Sequence, residues 1–174
     1  KRQPESYRVV RGVSISSCGP VYSVFVAHSA PLDRLKSVIV DPASLTSVHL
    51  LQVLAKGSLR MPLNLLDGDS LPIEDSEPTE HGRLLIGNQA IHFRLRADAS
   101  QVRFWDLGQA WTEWTGLPFV YAVWVLRRQL PDAPAVADTL RAVAAEGLSQ
   151  VSRIALEQSE FPPELALHYL TRHI

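Results

Sequence analysis

The chain reads as an α/β fold, on three features. Short apolar runs bounded by Gly, Pro, Asn or Asp alternate with stretches of helical period as far as Trp124. That alternation builds a sheet with helices packed on it. Two runs, Val21–Ala27 (VYSVFVA) and Phe119–Leu126 (FVYAVWVL), carry no charge and do not alternate with polar residues. Strands covered on both faces read this way, so Phe119–Leu126 is expected in the middle of a sheet. Beyond Arg128 the period is helical only.

Each element follows from local chemistry. Lys1 to Ser6 is polar, holds Pro4 and reads as a loop. Tyr7–Val10 is a short strand or connector, and Gly12 to Ile15 leads into a turn at Ser16-Ser17-Cys18-Gly19-Pro20. The strand Val21–Ala27 follows, then a helical turn at Pro31–Leu35 and a buried strand at Val38–Val40. Val48, Leu50, Leu51, Val53 and Leu54 recur at spacings of three and four, which predicts a helix closed by Gly57. Ser44, Thr46 or Ser47 is placed to cap its start. Met61–Leu66 is a strand candidate, and the acidic, Pro-containing stretch Asp67–Gly82 is a loop.

The second half is punctuated as clearly. Arg83–Ile86 is a strand; Gly87-Asn88 introduces a helix from Gln89 to about Arg96. Val102–Trp105 is a strand, and Asp106 caps a helix over Gln109–Trp114. Thr115-Gly116-Leu117-Pro118 turns the chain into the strand Phe119–Leu126. Asp132-Ala133-Pro134 starts a helix that ends near Gly147; a second spans about Leu148–Ser159; Phe161-Pro162-Pro163 breaks it, and Glu164–Arg172 forms a third.

Composition narrows the function. At 174 residues the chain is one domain or two small lobes, and 46% apolar residues supply a core. A net charge of -1 favours neither nucleic acid nor an anionic membrane. No apolar run approaches the roughly 18–20 residues that cross a bilayer. The single Cys18 excludes an intrachain disulfide and a cysteine-based zinc cluster. It suits the cytoplasm, though a secreted protein without disulfides fits equally. The six histidines (His28, His49, His81, His92, His168 and His173) lack zinc-site spacing. The acidic run from Asp67 through Asp75 reads as a solvated loop rather than a metal loop. Neither a phosphate loop nor a nucleophile elbow is present. No metal and no cofactor is expected.

Three places offer hydrogen-bond donors. After the strand Val38–Val40 a helix begins near Thr46, and the first amides of a helix attract a carboxylate. Ser44, Thr46 and Ser47 either cap that helix or bind a ligand there. Ser16, Ser17 and Gly19 form either an ordinary surface turn or a donor-rich loop that a ligand can approach closely. Thr115 and Gly116 either line a cleft with backbone groups or serve as a hinge turn. Trp111 and Trp114 read as packing residues before a stacking platform, and Cys18 as a small apolar residue before a nucleophile.

Three blocks in order carry a resemblance: Ser14-Ile15-Ser16-Ser17-Cys18-Gly19-Pro20-Val21-Tyr22-Ser23-Val24, Asp41-Pro42-Ala43-Ser44-Leu45-Thr46-Ser47-Val48, and Asp106-Leu107-Gly108 continuing through Trp111 to Trp114-Thr115-Gly116-Leu117-Pro118-Phe119-Val120-Tyr121-Ala122-Val123-Trp124. Together they resemble the menaquinone-biosynthesis family of the futalosine route, most of all its chorismate-dehydrating members. The resemblance runs from about Tyr7 to Ile174; the family's opening segment is expected before Lys1 and its last helix after Ile174.

The resemblance implies a periplasmic-binding-protein-like type II fold, two lobes joined by two crossover strands. Residues 1–22 then form part of lobe 1 and the entry to the crossover, 23–118 lobe 2, and 119–174 the return strand and the C-terminal helices of lobe 1. It implies a hydro-lyase acting on chorismate, a small dicarboxylate. It favours Thr46-Ser47 as carboxylate binders and turns Ser16-Ser17-Cys18-Gly19 toward the cleft. No side chain stands out as the base. The family's sister activity, dihydroxynaphthoate synthesis, uses a catalytic histidine; the matching stretch here, Leu84–Leu95, offers Asn88 and His92 without that motif. Dehydrating relatives often carry an acid at the Asn88 position, which leaves helix capping there open. A non-catalytic solute-binding protein suits the same fold.

Overall fold

The computed structural model describes residues 4–41, 44–68 and 80–174. Most of the acidic run expected as a loop, from Asp69 to Asp75, lies outside the described residues, as do Pro42 and Ala43. The chain forms two compact units, Ser17–Phe119 and the combination of Lys1–Ser16 with Val120–Ile174. It is a mixed α/β protein.

The unit Ser17–Phe119 holds a five-stranded mixed sheet. Its strands are β2 (Val24–His28), β3 (Ser37–Val40), β4 (Asn64–Asp67), β5 (His81–Ile86) and β6 (Arg103–Asp106), in the order β4-β3-β5-β2-β6. β3 runs parallel to β4 and β5, and β2 antiparallel to β5 and β6. Every residue of β2 and β3 is buried, so the uninterrupted apolar runs are those of central strands. Phe25, Ala27 and Leu85 join Ala90 of α2 (Gly87–Arg96) in one cluster, flanked by Phe93, Val102 and Phe104. Alternation turns Val26 and Val38 to the opposite face, where both are fully buried. There remain α1 (Leu45–Gly57) and α3 (Leu107–Thr115), which pack on each other, to cover it. Gly82 on β5 permits this closeness, since a Cβ there would sit 2.6 Å from Val26 Cγ1.

Several boundaries differ from expectation. β2 begins at Val24 rather than Val21, because Tyr22 takes a left-handed φ of 68° and Ser23 N–H closes a tight turn on Val21 O at 2.8 Å. β4 starts at Asn64 rather than Met61, since Met61 N–H still bonds back to Ala55 O at the end of α1. β5 starts two residues early, where His81 pairs with Ser37 of β3. α2 starts at Gly87, and its cap position is Ile86, which makes no side-chain cap bond.

The unit formed by Lys1–Ser16 and Val120–Ile174 pairs β1 (Tyr7–Ser17) with β7 (Phe119–Arg127) in a two-stranded sheet. Two expectations are corrected here. Ser16 and Ser17 lie in an 11-residue strand rather than in a turn, because pairing with β7 outweighs the weak strand preference of Gly12 and the serines. β7 starts at Phe119 as expected and runs one residue past Leu126, but among the described residues it has neither the central position nor the burial. Among the described residues its pairing partner is β1 alone, and Val123, Trp124 and Val125 are 44%, 54% and 47% exposed.

Three helices complete the unit: α4 (Ala133–Ser149), α5 (Val151–Glu157) and α6 (Pro163–Arg172). The Gln158 amide builds the corner between the last two. Its Nε2 donates to Ala155 O and Phe161 O, and its Oε1 accepts from the N–H groups of Glu160 and Phe161. No helix among the described residues is long and apolar enough to cross a membrane.

Candidate functional site

Asp106 ends β6 and caps α3, as its sequence position predicts: Oδ1 accepts from Gln109 N–H at 3.0 Å. The same carboxylate does more. Oδ1 also accepts from Val21 N–H at 3.1 Å and Oδ2 from Tyr22 N–H at 2.8 Å, with Asp106 only 6% exposed. One side chain thus satisfies three backbone donors and fastens the chain entering β2 to the start of α3. Arg94 of α2 braces the turn from another side. It donates to Tyr22 O at 3.2 Å, and its guanidinium lies 4.4 Å from the Tyr22 ring centre, 5.0 Å from Phe25 and 4.8 Å from Phe104. These cation–π contacts and the Asp106 bonds hold Tyr22 in a backbone region that bulky residues rarely occupy.

The far end of α3 meets the same segment. Gly19 N–H donates to Thr112 Oγ1 at 2.9 Å, and that hydroxyl donates to Leu117 O at 3.4 Å. Gly116, at φ 71°, closes α3 by donating its N–H to Thr112 O at 2.8 Å. Thr115 donates its hydroxyl to Trp111 O at 2.8 Å and accepts from Leu117 N–H at 3.1 Å. So Thr112 ties the Ser17–Gly19 segment, more than ninety residues away in the chain, to the end of α3 at Thr115-Gly116. The donor hydrogens of Thr115 and Gly116 are already engaged within the protein. Ser17 is buried and donates to Gly19 O at 3.4 Å. Ser16 lies on β1, with its Oγ 3.2 Å from Ser14 Oγ. Cys18 is exposed and unpaired.

The helix-start residues separate. Ser44 occupies the cap position of α1 but makes no side-chain cap bond, so the first amides of α1 lack that acceptor. Thr46 points to solvent, whereas Ser47 is 4% exposed and turned inward. The two hydroxyls therefore do not present together. His49 is exposed and bonds along its own helix to Gln52 Oε1 at 3.1 Å. Trp111 stacks edge-on with Trp114 and Phe119, at centroid distances of 6.1 and 5.2 Å. The Trp114 ring closes over Gly57, where a Cβ would overlap it. The aromatic block packs on itself and on α1. Among the described residues, no three His, Cys, Asp or Glu side chains gather as metal ligands would.

Two residues of this arrangement were missed in the sequence. Thr112 sits inside an aromatic helix and Arg94 near the end of α2, and each acts through a partner more than seventy residues away in the chain. A lone polar residue on the packed side of α3 was the available signal for Thr112.

His28 makes the stability of the fold depend on pH. It is 8% exposed at the end of β2, with Nδ1–H donating to Ala30 O at 2.7 Å. Burial pushes its pKa below the ordinary 6.5; the Ala30 carbonyl pulls up, and the Arg103 charge adds to the lowering. A depressed histidine pKa means the unfolded chain binds the proton more readily. Stability from His28 is therefore complete above about pH 6.5 and is lost as pH falls toward the folded-state value. His28→Gln is expected to flatten the fall of Tm between pH 7 and 5, read by thermal melts across that range. An unchanged slope contradicts it.

The chain has relatives among known proteins. A family model described as menaquinone biosynthesis matches residues 1–173. The chorismate dehydratase of Thermus thermophilus is 30% identical over 185 aligned positions, covering 97% of this chain and 67% of that protein. The solved structure of protein AF1704 from Archaeoglobus fulgidus matches with a TM-score of 0.52 at 20% identity, over 95% of this chain and 64% of that one. The chain thus spans about two thirds of the length of the relatives it matches. It belongs to the menaquinone biosynthesis family.

Proposed function

We propose that this protein is a chorismate dehydratase, a hydro-lyase that converts chorismate to 3-[(1-carboxyvinyl)oxy]benzoate and water on the futalosine route to menaquinone. The observation that carries this reading is its 30% identity to a chorismate dehydratase over 97% of the chain. The periplasmic-binding-protein-like type II arrangement, its lobes as set out from the sequence, and a cytoplasmic setting come with the same reading. In its favour, the chain passes from one compact unit to the other twice, near Ser17 and near Phe119, on the paired strands β1 and β7.

The substrate is a dicarboxylate, and the uncapped start of α1 with Thr46 beside it offers donors of the required sign. Ser16 and Ser44 complete the proposed binding set, together with Ser17, Gly19, Ser47, Thr115 and Gly116 in positioning roles. Loss of the hydroxyl and the ring proton makes the ring aromatic, so the driving force lies in the substrate. Asp106 is the carboxylate bonded to the Val21-Tyr22 turn, and three backbone amides occupy it. It acts as a brace and not as a base. The enolpyruvyl carboxylate of chorismate then takes the proton, while the protein holds the reacting conformer.

The purified protein, as its gene encodes it, is expected to turn chorismate into an aromatic product, followed by absorbance and chromatography. An ester at the enolpyruvyl carboxylate is expected to react at least about a hundredfold more slowly, in the range general-base catalysis supplies. Chorismate bound without conversion would reject the enzyme reading. Unchanged turnover of the ester would reject only the assignment of the base.

A further inference from the structure

We infer that the hollow on the α2 side of the sheet is a second ligand site, built for a small planar carboxylate of the benzoate type. It lies wholly within the unit Ser17–Phe119 and has a volume of about 800 Å³, within the range of small-molecule pockets. Two of its walls are cationic. Arg83 rises from β5 in the interior of the sheet, where its neighbours are Ala27 on β2 and Ile39 on β3. Arg96 comes from the last turn of α2. Among the described residues neither guanidinium has a carboxylate within ion-pair distance. Arg83 is half-buried, and a cation in that position without a counter-charge is a standing cost that an anion relieves.

Asp98 also lines the hollow, but among the described residues it forms no ion pair with either arginine. Asp98 Oδ1 accepts from Ser100 N–H at 2.8 Å, and that bond and the Ser100 hydroxyl keep its carboxyl below the usual range. The rest of the lining is mixed: Leu85, Phe93 and Val102 make an apolar patch at the edge of the core, and Gln89, His92 and Gln101 add polar groups beside it. Two arginines and an apolar patch on one lining favour an anion with a flat hydrocarbon body over a compact, fully hydrated one. A carboxylate fits the planar fork of arginine in two parallel hydrogen bonds, and its ring lies on the apolar patch. This hollow shares no lining residue with the Ser17–Gly19 turn or the start of α1, and the inference does not rest on the dehydratase reading.

Benzoate, inorganic phosphate and benzyl alcohol titrated separately into the purified protein, followed by calorimetry and NMR at low ionic strength, test it. Saturable benzoate binding is expected, with phosphate and benzyl alcohol at least fivefold weaker. Arg96→Gln, on an exposed helix end, and Arg83→Gln are each expected to weaken benzoate at least fivefold, while Arg34→Gln leaves it unchanged. Thermal melts confirm that each variant is folded, and Arg96→Gln stands alone as the test if Arg83→Gln is not. Absence of benzoate binding, benzoate affinity unaltered in Arg96→Gln, or phosphate binding as tightly as benzoate would each overturn the inference.

Discussion

Asp106→Ala is expected to cost about 3–5 kcal/mol of stability: a lost helix cap contributes about 1 kcal/mol, and each buried amide left without an acceptor about 1–3 kcal/mol. Gln109 loses its cap, and Val21 and Tyr22 lose the acceptor that holds the entry to β2. Asp106→Asn separates the parts. Its carbonyl can still serve Val21 and Gln109 at Oδ1, but its amide then faces Tyr22 N–H, donor against donor. A loss of about 1–2 kcal/mol is expected for that variant, near the cost of one unpaired buried group. Urea unfolding followed by circular dichroism measures both. A loss under about 1 kcal/mol for the alanine variant would show that water replaces the carboxylate at no great cost.

Phe25→Ala is expected to be as severe, about 3–5 kcal/mol, the usual range for deleting a buried aromatic ring. Phe25 is fully buried and meets Phe104 edge-on at 4.9 Å, with the Arg94 guanidinium 5.0 Å from its ring centre. Its removal opens a cavity between β2 and α2 and takes away one of three rings under Arg94. A fall in Tm on the order of 10 °C or more follows for a unit of this size. Phe25→Leu keeps most of the volume and is expected to cost less than half as much. Equal losses for the two variants would place the energy in the aromatic contacts rather than in filled space.

Much of this fold was legible in the chain because local rules govern it. The strand at β3, the close of α1 near Gly57, the Asp106 cap and the start of β7 all follow from residues within a few positions of one another. What was not legible depends on distant partners. β1 is long because β7 pairs with it from more than a hundred residues away. β2 starts late because Asp106 captures Val21 and Tyr22. The apolar run of β7 carries the composition of a covered strand, yet composition does not say whether a cover is present. At the candidate site, Ser44 was legible as a cap position, whereas the inward turn of Ser47 depends on which face of α1 meets the core. The close of α3 at Thr115-Gly116 is local and legible, whereas the bond from Gly19 to Thr112 is a tertiary fact with no local signature.

The ribbon Val120–Val125 has a practical meaning for anyone handling this polypeptide. Val120, Val123, Trp124 and Val125 stand 47%, 44%, 54% and 47% open to water, in a segment without charge or proline. Such a stretch is a template for intermolecular stacking. Handled by themselves, these 174 residues are expected to self-associate through that strip as concentration rises, and a lysine in place of Val123 is expected to reduce it.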